Sequence, residues 1–230
     1  MGAEVPGGEP AASLLALEKI TRRLRRDCPW DREQDERSIV PHTVEEAYEL
    51  ADAANTGDHA KLLDELGDVL FQVYFLSLLL EERRQGDLAA VAEHCRQKLI
   101  RRHPHVFGDT EAEDAAAVLR NWDQIKRAES GRAGDEVFHD VPENLPSTLY
   151  ARKLLRRAAS GSDYEHPDAG TLLRRLRERI DAFDPASGRD ESFAALGDVL
   201  LDCVALARES GVDPELALRA AADRFRGRIE

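Results

Sequence analysis

The sequence predicts an all-α protein, and three observations support this class. Ala, Leu, Arg and Glu dominate the 230 residues, whereas aromatic residues make up 6%, a mixture that favours helix over strand. Apolar residues recur at helical spacing, as in Leu14, Leu17, Ile20 and Leu24. No segment alternates between apolar and polar residues for long enough to predict a sheet.

Five helices are predicted in the first half, at about residues 13–26, 43–56, 60–84, 88–102 and 115–129. Pro29 ends the first, because proline disfavours helix at the residue before it. Thr43 begins the second and forms a capping box with Glu46. The third is apolar on almost every side between Leu66 and Leu80, which predicts burial in a bundle or an oligomer interface. Asp114 can cap the fifth.

The second half of the sequence echoes the first. Four helices are predicted there, near residues 148–159, 169–183, 191–210 and 213–229. The letters LGDVL occur at 66–70 and again at 196–200, each time leading into a long apolar helix and then a helix that ends in basic residues. This repetition predicts an internal duplication of an antiparallel helix unit of the four-helix-bundle type.

These patterns divide the chain into four segments. We expect a flexible N-terminus at 1–12, a first helical domain at 13–129 and a second at 148–230. Residues 130–147 between the two domains are rich in glycine, proline and acidic residues, so they are interpreted as a linker.

Charge and composition exclude several classes of function. With a net charge of −13, the chain lacks the broad positive field that binding to duplex DNA or to an anionic membrane requires, so we expect neither as a partner. The longest apolar stretch, 69–80, is too short to span a bilayer. The first residues show no secretory signal pattern, and Cys28, Cys95 and Cys203 are widely spaced and odd in number, which favours reduced thiols in the cytoplasm.

Acidic residues form a spaced pattern on two neighbouring predicted helices. Glu45, Glu46 and Glu49 lie within about 100° of arc on the second helix, and Glu65 and Asp68 share one face of the third. The short connection at 57 makes these helices antiparallel neighbours, so the carboxylates should converge. Mg²⁺ prefers such oxygen ligands, with Mn²⁺ as a substitute, and its usual companion is a polyphosphate.

Structural explanations of the same residues compete with the metal site. Acidic residues make up a fifth of the chain, although a match with the same acid type at each position arises by chance only about 0.03 times. Capping gives Glu46 a structural role but explains neither Glu49 nor the acidic residues at the start of an apolar helix. Buried carboxylates need a compensating cation, which favours the metal site.

Five blocks of sequence carry a resemblance to a known family: CPWDREQ (28–34), PHTVEEAYEL (41–50), LLDELGDVLFQV (62–73), KLIRRHPHVFGD (98–109) and NWDQIK (121–126). The chain resembles the MazG-type nucleoside triphosphate pyrophosphohydrolases, an all-α superfamily. The resemblance is dense over about 13–128 and loose over 147–230. It implies Mg²⁺-dependent hydrolysis of a nucleoside triphosphate to nucleoside monophosphate and pyrophosphate.

The resemblance also assigns roles to individual residues. It implies four metal ligands, Glu46, Glu49, Glu65 and Asp68, with Glu45 polarising the attacking water or holding a second metal. Lys98, Arg101 and Arg102 are similar to the triphosphate contacts of the family. Nucleotide-contacting positions are matched by Lys61, Trp122 and Lys126, and Trp30 is expected to line the same pocket.

Some of these residues also have simpler explanations. Cations such as Arg101 and Arg102 are favoured at any helix C-terminus by the helix dipole. Trp122 on an amphipathic helix is more often a core residue. His103 and His105 lack a third ligand at suitable spacing for zinc, so they are interpreted as part of a helix-ending turn.

The second repeat departs from the acidic pattern. Aligning Glu178 with Glu45 places Arg179 at the position of Glu46 and Ala182 at that of Glu49, and Ala195 replaces the glutamate of ExxD. Only Asp198 remains. The second repeat is therefore predicted to be degenerate and unable to bind Mg²⁺, with a structural or regulatory role.

Two alternative functions remain open. The chain could be a non-catalytic nucleotide sensor or interaction protein, or a narrow-specificity relative such as a dUTPase or phosphoribosyl-ATP pyrophosphatase. The favoured interpretation is a broad-specificity enzyme that clears nucleoside triphosphates from the cellular nucleotide pool. The apolar third helix further predicts a homodimer or a higher oligomer.

Overall fold

The computed structural model describes residues 9–129, 137–138, 141–161 and 164–230, and these residues contain eleven helices and no strand. The predicted all-α fold is confirmed. In chain order the helices are α1 (Pro10–Asp27), α2 (Pro29–Glu33), α3 (Glu36–Thr56), α4 (His59–Glu82), α5 (Leu88–Arg102), α6 (Pro104–Phe107), α7 (Ala115–Glu129), α8 (Ser147–Gly161), α9 (Ala169–Asp181), α10 (Arg189–Glu209) and α11 (Pro214–Arg226).

Helix α3 begins seven residues earlier than the sequence predicted, at Glu36. Asp35 caps it by accepting a hydrogen bond from the backbone N–H of Ser38, whose hydroxyl accepts one from the N–H of Asp35. Pro41 lies inside the helix, and the Thr43 hydroxyl donates to the carbonyl of Ile39 at 3.4 Å. The predicted capping box at Thr43 is therefore wrong, and Glu46 has no capping role.

Helix α4 is the central helix of the first compact unit, which comprises Met1–Asp109, and it contacts α1, α3 and α5. Phe75 and Leu79 are fully buried and pack against Ile39 of α3. Close to this core, Arg22 and Arg25 of α1 bind Glu81 and Glu82 at the end of α4. These contacts fix α3 against α4 and so fix the acidic faces of both helices.

Connections in the first unit follow simple turn chemistry. Gly57 ends α3 with a left-handed φ of 71°, a conformation that glycine adopts without a steric cost. The Asp58 carboxylate then caps α4 by accepting from the N–H groups of Ala60 and Lys61. So short a connection makes α3 and α4 antiparallel neighbours.

The second compact unit comprises Thr110–Glu230 and is built around α10, which contacts α8, α9 and α11. Its core contains Leu155, Leu172 and Val204. Helix α7, placed by the sequence in the first domain, lies in this second unit and contacts α8. The predicted cap of α7 is confirmed, since Asp114 accepts from the N–H of Ala117 at 2.6 Å.

Two predicted segments fall partly on residues that the structure does not describe. Of the segment 1–12, only 9–12 are described, and there α1 already begins at Pro10. Of the linker 130–147, the described residues are 137–138 and 141–147, of which only Ser147 is helical. In the described part of the chain, no helix has both the length and the apolar character needed to cross a bilayer.

Candidate active site

Four carboxylates form two levels across the α3–α4 pair. Glu49 lies seven residues before the last residue of α3, and Glu65 lies six residues after the first residue of α4. Glu46 and Asp68 stand one helical turn further from the connection, at ten and nine residues. Because the helices are antiparallel, Glu49 lies level with Glu65, and Glu46 lies level with Asp68.

Three of these side chains approach one another closely. Carboxylate oxygens of Glu46, Glu49 and Glu65 lie within 4.8 Å of one another. Glu65 is 5% exposed, Glu46 is half-buried and Glu49 is exposed, so the group opens from the core towards solvent. Asp68 is exposed and stands outside this group of three.

Asp68 nevertheless interacts electrostatically with Glu46. Burial raises the pKa of the Glu46 carboxyl, and the negative charges of Asp68 and Glu49 raise that pKa further. Burial likewise raises the pKa of Glu65, with Glu49 as the next cause. Glu46 is thus repelled by Asp68 and Glu65 by Glu49, the carboxylates at their own levels. A bound cation would reduce this repulsion.

This donor set fits a hard divalent cation. All four side chains offer carboxylate oxygens, and no cysteine or histidine lies in the group of three that would favour zinc. Ligand oxygens around one octahedral Mg²⁺ at about 2.1 Å lie about 3.0 Å apart in cis positions and about 4.2 Å apart in trans positions, so the three glutamate side chains would draw closer together to share one ion.

A groove of about 620 Å³ runs along the first half of α4 beside the carboxylates. Lys61 and Asp68 contribute to its wall. The Lys61 ammonium donates to Asp52 of α3 at 2.9 Å. This hydrogen bond raises the pKa of Lys61, and although burial lowers that pKa, the charges of the neighbouring carboxylates raise it again. Lys61 therefore remains a cation at the mouth of the acidic site, at the place predicted for a nucleotide contact.

Trp30 is connected to the acidic helix through a histidine. Its exposed indole lies edge-on to the ring of His42, with the ring centroids 6.0 Å apart. His42 Nδ1 in turn lies 3.2 Å from an oxygen of Glu45. The sequence analysis overlooked His42, although its position three residues before Glu45 on one helix face was a readable signal.

Basic residues at the end of α5 lie level with the carboxylates along the axis of α4. The connection between α4 and α5 spans 83–87, which makes the two helices antiparallel neighbours. Arg102 lies 14 residues beyond the start of α5, and Asp68 lies 14 residues before the end of α4. Lys98 and Arg101 stand in the same last turns, Arg101 exposed and Lys98 half-buried.

Trp122 and Lys126 lie on α7, in the second compact unit. Both side chains are half-buried, and Lys126 lines a cleft of that unit together with residues of α8. The structure groups these two residues with the second unit, and their predicted contact with a nucleotide at the α3–α4 site stays a prediction.

Arg179 of the second unit stands at the position that the predicted repeat aligns with Glu46. Arg179 pairs with Asp198 and also with the buried Asp202, whose carboxylate oxygen lies 2.9 Å from Nε of Arg179. Arg175 completes the cluster by binding Asp202 with two nitrogens. Helix α9 ends at Asp181, so Ala182, aligned with Glu49, lies at its C-terminal cap.

Comparison with known proteins identifies the family. The family model of the MazG nucleotide pyrophosphohydrolase domain matches residues 34–107, a range that includes the four carboxylates and the basic end of α5. A nucleoside triphosphate pyrophosphohydrolase of Escherichia coli (strain K12) is 36% identical over 226 residues, which cover 94% of this chain and 84% of that protein. The chain belongs to the MazG family.

Two further relatives extend the comparison. The nucleoside triphosphate pyrophosphohydrolase/pyrophosphatase MazG of Thermotoga maritima is 35% identical over 214 residues, covering 91% of this chain and 81% of that protein. A nucleoside triphosphate pyrophosphohydrolase of Mycobacterium tuberculosis is 32% identical over 155 residues, covering 66% of this chain and 47% of that protein. The matches to the Escherichia coli and Thermotoga maritima proteins cover more than nine-tenths of this chain, so the MazG resemblance continues into the second unit.

Proposed function

We propose that this MazG-family chain is an Mg²⁺-dependent enzyme that hydrolyses nucleoside triphosphates to nucleoside monophosphates and pyrophosphate. The observation that carries the proposal is the approach of Glu46, Glu49 and Glu65 to within 4.8 Å inside the matched family domain. The relatives in Escherichia coli and Thermotoga maritima are named nucleoside triphosphate pyrophosphohydrolases, which supports this reaction.

The proposed roles follow the two levels of carboxylates. Glu46, Glu49, Glu65 and Asp68 would hold Mg²⁺. A bound Mg²⁺ supplies Lewis acidity and lowers the pKa of a coordinated water. Mn²⁺ offers a similar preference for oxygen ligands and is expected to substitute.

Glu45 is the proposed base. It stands at the edge of the cluster, exposed and outside the group of three, so its oxygens are available to orient a water and accept its proton. His42 Nδ1 lies 3.2 Å from the Glu45 carboxylate, a contact that restricts the rotamers of Glu45. A base in a fixed position lowers the entropic part of the barrier.

Cations of the first unit would receive the phosphates. Lys61 at the groove, with Lys98, Arg101 and Arg102 at the end of α5, would neutralise the triphosphate and the leaving pyrophosphate. Trp30, beside His42, offers an exposed aromatic face to a base. Trp122 and Lys126 are kept as proposed nucleotide contacts from the second unit.

The assay that tests this function measures both possible phosphate products. Each of the eight common (d)NTPs and phosphoribosyl-ATP is incubated with the protein and Mg²⁺, and monophosphate, pyrophosphate and phosphate are quantified. Pyrophosphate and monophosphate in equal amounts from most substrates support a broad pyrophosphohydrolase. Turnover of one substrate alone would identify a narrow enzyme, and binding without turnover would identify a sensor.

The remaining proposals concern the oligomeric state, the role of the second repeat and the cellular compartment. Helix α4 exposes Leu63, Leu66 and Val73, which supports a homodimer formed through this helix. Residues 148–230 are proposed to be a degenerate repeat with a structural or regulatory role. The three cysteines are free thiols, and the cytoplasm is kept as the proposed compartment.

A further inference from the structure

Gly67 is an unfavourable residue for its place in the fold. It lies inside α4, eight residues after the first residue of the helix and fifteen before its last, and it is exposed. Glycine is a poor helix former, because its backbone loses more conformational freedom on folding than that of any other residue. A glycine in the interior of a long helix therefore needs a physical reason.

Packing within the chain does not supply that reason. A methyl group on the Cα of Gly67 would meet no atom of the described residues within 4 Å, apart from the adjacent backbone of α4. The backbone of Gly67 is helical, so it needs no left-handed φ. Alanine would thus fit at this position and would favour the helix. The space that glycine leaves empty is open to a molecule from outside the chain.

This empty space is part of the groove beside the carboxylates. The residues that line this groove of about 620 Å³ include Gly67, Lys61 and Asp68. Since each helical residue adds 1.5 Å, Gly67 lies about 3 Å beyond Glu65 along the axis of α4 and about 1.5 Å before Asp68. Gly67 therefore stands between the two levels of carboxylates that are proposed to hold Mg²⁺.

Gly67 also lies where the acidic face of α4 meets its exposed apolar face. At about 100° per residue, Asp64 and Asp68 lie to one side of Gly67, and Leu63 lies to the other. A ligand on the acidic face would therefore lie against Gly67. A helix of a second copy on the apolar face would instead lie against Leu63, which is 61% exposed.

We propose that Gly67 keeps the groove open for the nucleoside triphosphate, whose α-phosphate and sugar lie against the bare backbone of α4 at this residue. The inference rests on the proposed function, because release of pyrophosphate requires the α-phosphate to lie beside the carboxylates. The sugar is joined to that phosphate through one oxygen, so it must lie close to them as well. A side chain at position 67 would hold the sugar away from α4 and displace the α-phosphate from its reactive position.

The second unit provides a matched control position. Gly197 of α10 occupies the same place in the repeated letters LGDVL and is exposed. A methyl group on its Cα would likewise meet no atom of the described residues within 4 Å, apart from the adjacent helix backbone. The group of three close carboxylates has no counterpart among the described residues around Gly197. Alanine should therefore stabilise the helix at both positions but should affect the substrate only at Gly67.

Four variants test the proposal: Gly67→Ala, Gly67→Leu, Gly197→Ala and Gly197→Leu. Thermal unfolding followed by circular dichroism should show that each alanine variant melts about 1–4 °C above the wild type, because alanine is the better helix former. Steady-state kinetics use the (d)NTP with the highest kcat/KM in the substrate panel. Calorimetry with Mg²⁺ measures the Kd of the α,β-methylene analogue of the same nucleotide, whose bridge cannot be hydrolysed.

The expected results separate substrate clearance from a structural role. Gly67→Ala should raise both KM and the Kd of the analogue at least about threefold, and Gly67→Leu at least about tenfold, because the larger side chain fills more of the groove. The two Gly197 variants should keep both constants within about twofold of wild type. A residue that packing requires would lose stability when replaced, whereas Gly67→Ala should gain stability and lose affinity.

Unchanged constants in Gly67→Leu, with a wild-type protein that turns over its substrate, would overturn the inference and leave the proposed function intact. A lower melting temperature in Gly67→Ala, or a changed mass in light scattering, would assign the glycine to packing within the chain or between copies. Equal losses of affinity at Gly67 and Gly197 would also overturn the inference. A wild-type protein without turnover of any nucleotide in the panel would remove the proposed function and the inference together.

Discussion

Arg179 forms an ion pair with the buried Asp202, with Nε 2.9 Å from a carboxylate oxygen, and the same guanidinium pairs with Asp198. With the two repeats aligned, Arg179 stands at the position of Glu46 and Asp198 at that of Asp68. A covalently attached cation therefore occupies the position where the first unit is proposed to recruit a metal. The carboxylates of the first unit are proposed to be neutralised by a bound ion, whereas Asp198 and Asp202 of the second unit are neutralised by Arg179 of the same chain.

We expect Arg179→Met to lower the free energy of unfolding by about 2 kcal/mol, because Asp202 is 1% exposed and would lose one of its two cationic partners. Urea unfolding followed by circular dichroism measures the change. Arg174→Met on the exposed face of the same helix is the control, with an expected change within about 0.5 kcal/mol. Equal changes in the two variants would mean that the Arg179 cluster contributes nothing specific.

Mg²⁺ should raise the melting temperature by binding the native acidic site, where Glu46 and Glu65 are destabilised by burial and by neighbouring charges. Differential scanning fluorimetry with MgCl₂ and with NaCl of matched ionic strength separates binding from screening. The shift in MgCl₂ should be the larger and should disappear in Glu49→Gln. Identical shifts in both salts would argue against a metal site.

Arg102→Ala should raise the KM for nucleoside triphosphates about tenfold or more, because the last turn of α5 stands level with the carboxylates and would lose a phosphate contact. The matched control is Arg96→Ala on the same helix, whose guanidinium pairs with Glu93 at 2.7 Å. Steady-state kinetics of the two variants make the comparison. An unchanged KM for Arg102→Ala would leave this residue with only a helix-end role.

Leu66→Glu should shift the protein from dimer towards monomer, since Leu66 is 50% exposed on the apolar face of α4. Leu196→Glu provides a matched control at the corresponding position of the second repeat, where the leucine is 48% exposed. Multi-angle light scattering at micromolar concentration gives the mass of each variant. A wild-type monomer, or a dimer in both variants, would contradict an interface on α4.

Local signals in the sequence predicted the helices well where one residue determines a boundary. The predicted limits of 88–102 match α5, because Asp87 caps its start and His103-Pro104 stops it. The start of α3 was missed because its cap uses Ser38 in place of the glutamate or glutamine of the usual capping box, and because Pro41 is accommodated within the helix. Helix spacing was enough to predict which carboxylates share a face.

Long-range relationships could not be read from the same signals. The sequence shows that Arg179 replaces a glutamate, but the buried Asp202 that it binds lies 23 positions away and matches no motif. The grouping of α7 with α8 likewise depends on packing between helices, which periodicity does not specify. The cleft that Lys126 lines combines residues from α7, α8 and α10 and was not predicted.

The most direct test of the central claim compares one carboxylate from each unit. Glu49→Gln keeps the shape of an exposed side chain in the group of three and removes the charge that Mg²⁺ requires, whereas Asp198→Asn makes the same change at a carboxylate already bound by Arg179. Both variants are first checked for native circular dichroism and oligomer size, and pyrophosphate release is then measured. Glu49→Gln should lose at least about two orders of magnitude in kcat, and Asp198→Asn should stay within about threefold of wild type. Full activity in Glu49→Gln together with loss of turnover in Asp198→Asn would contradict the placement of catalysis in the first unit.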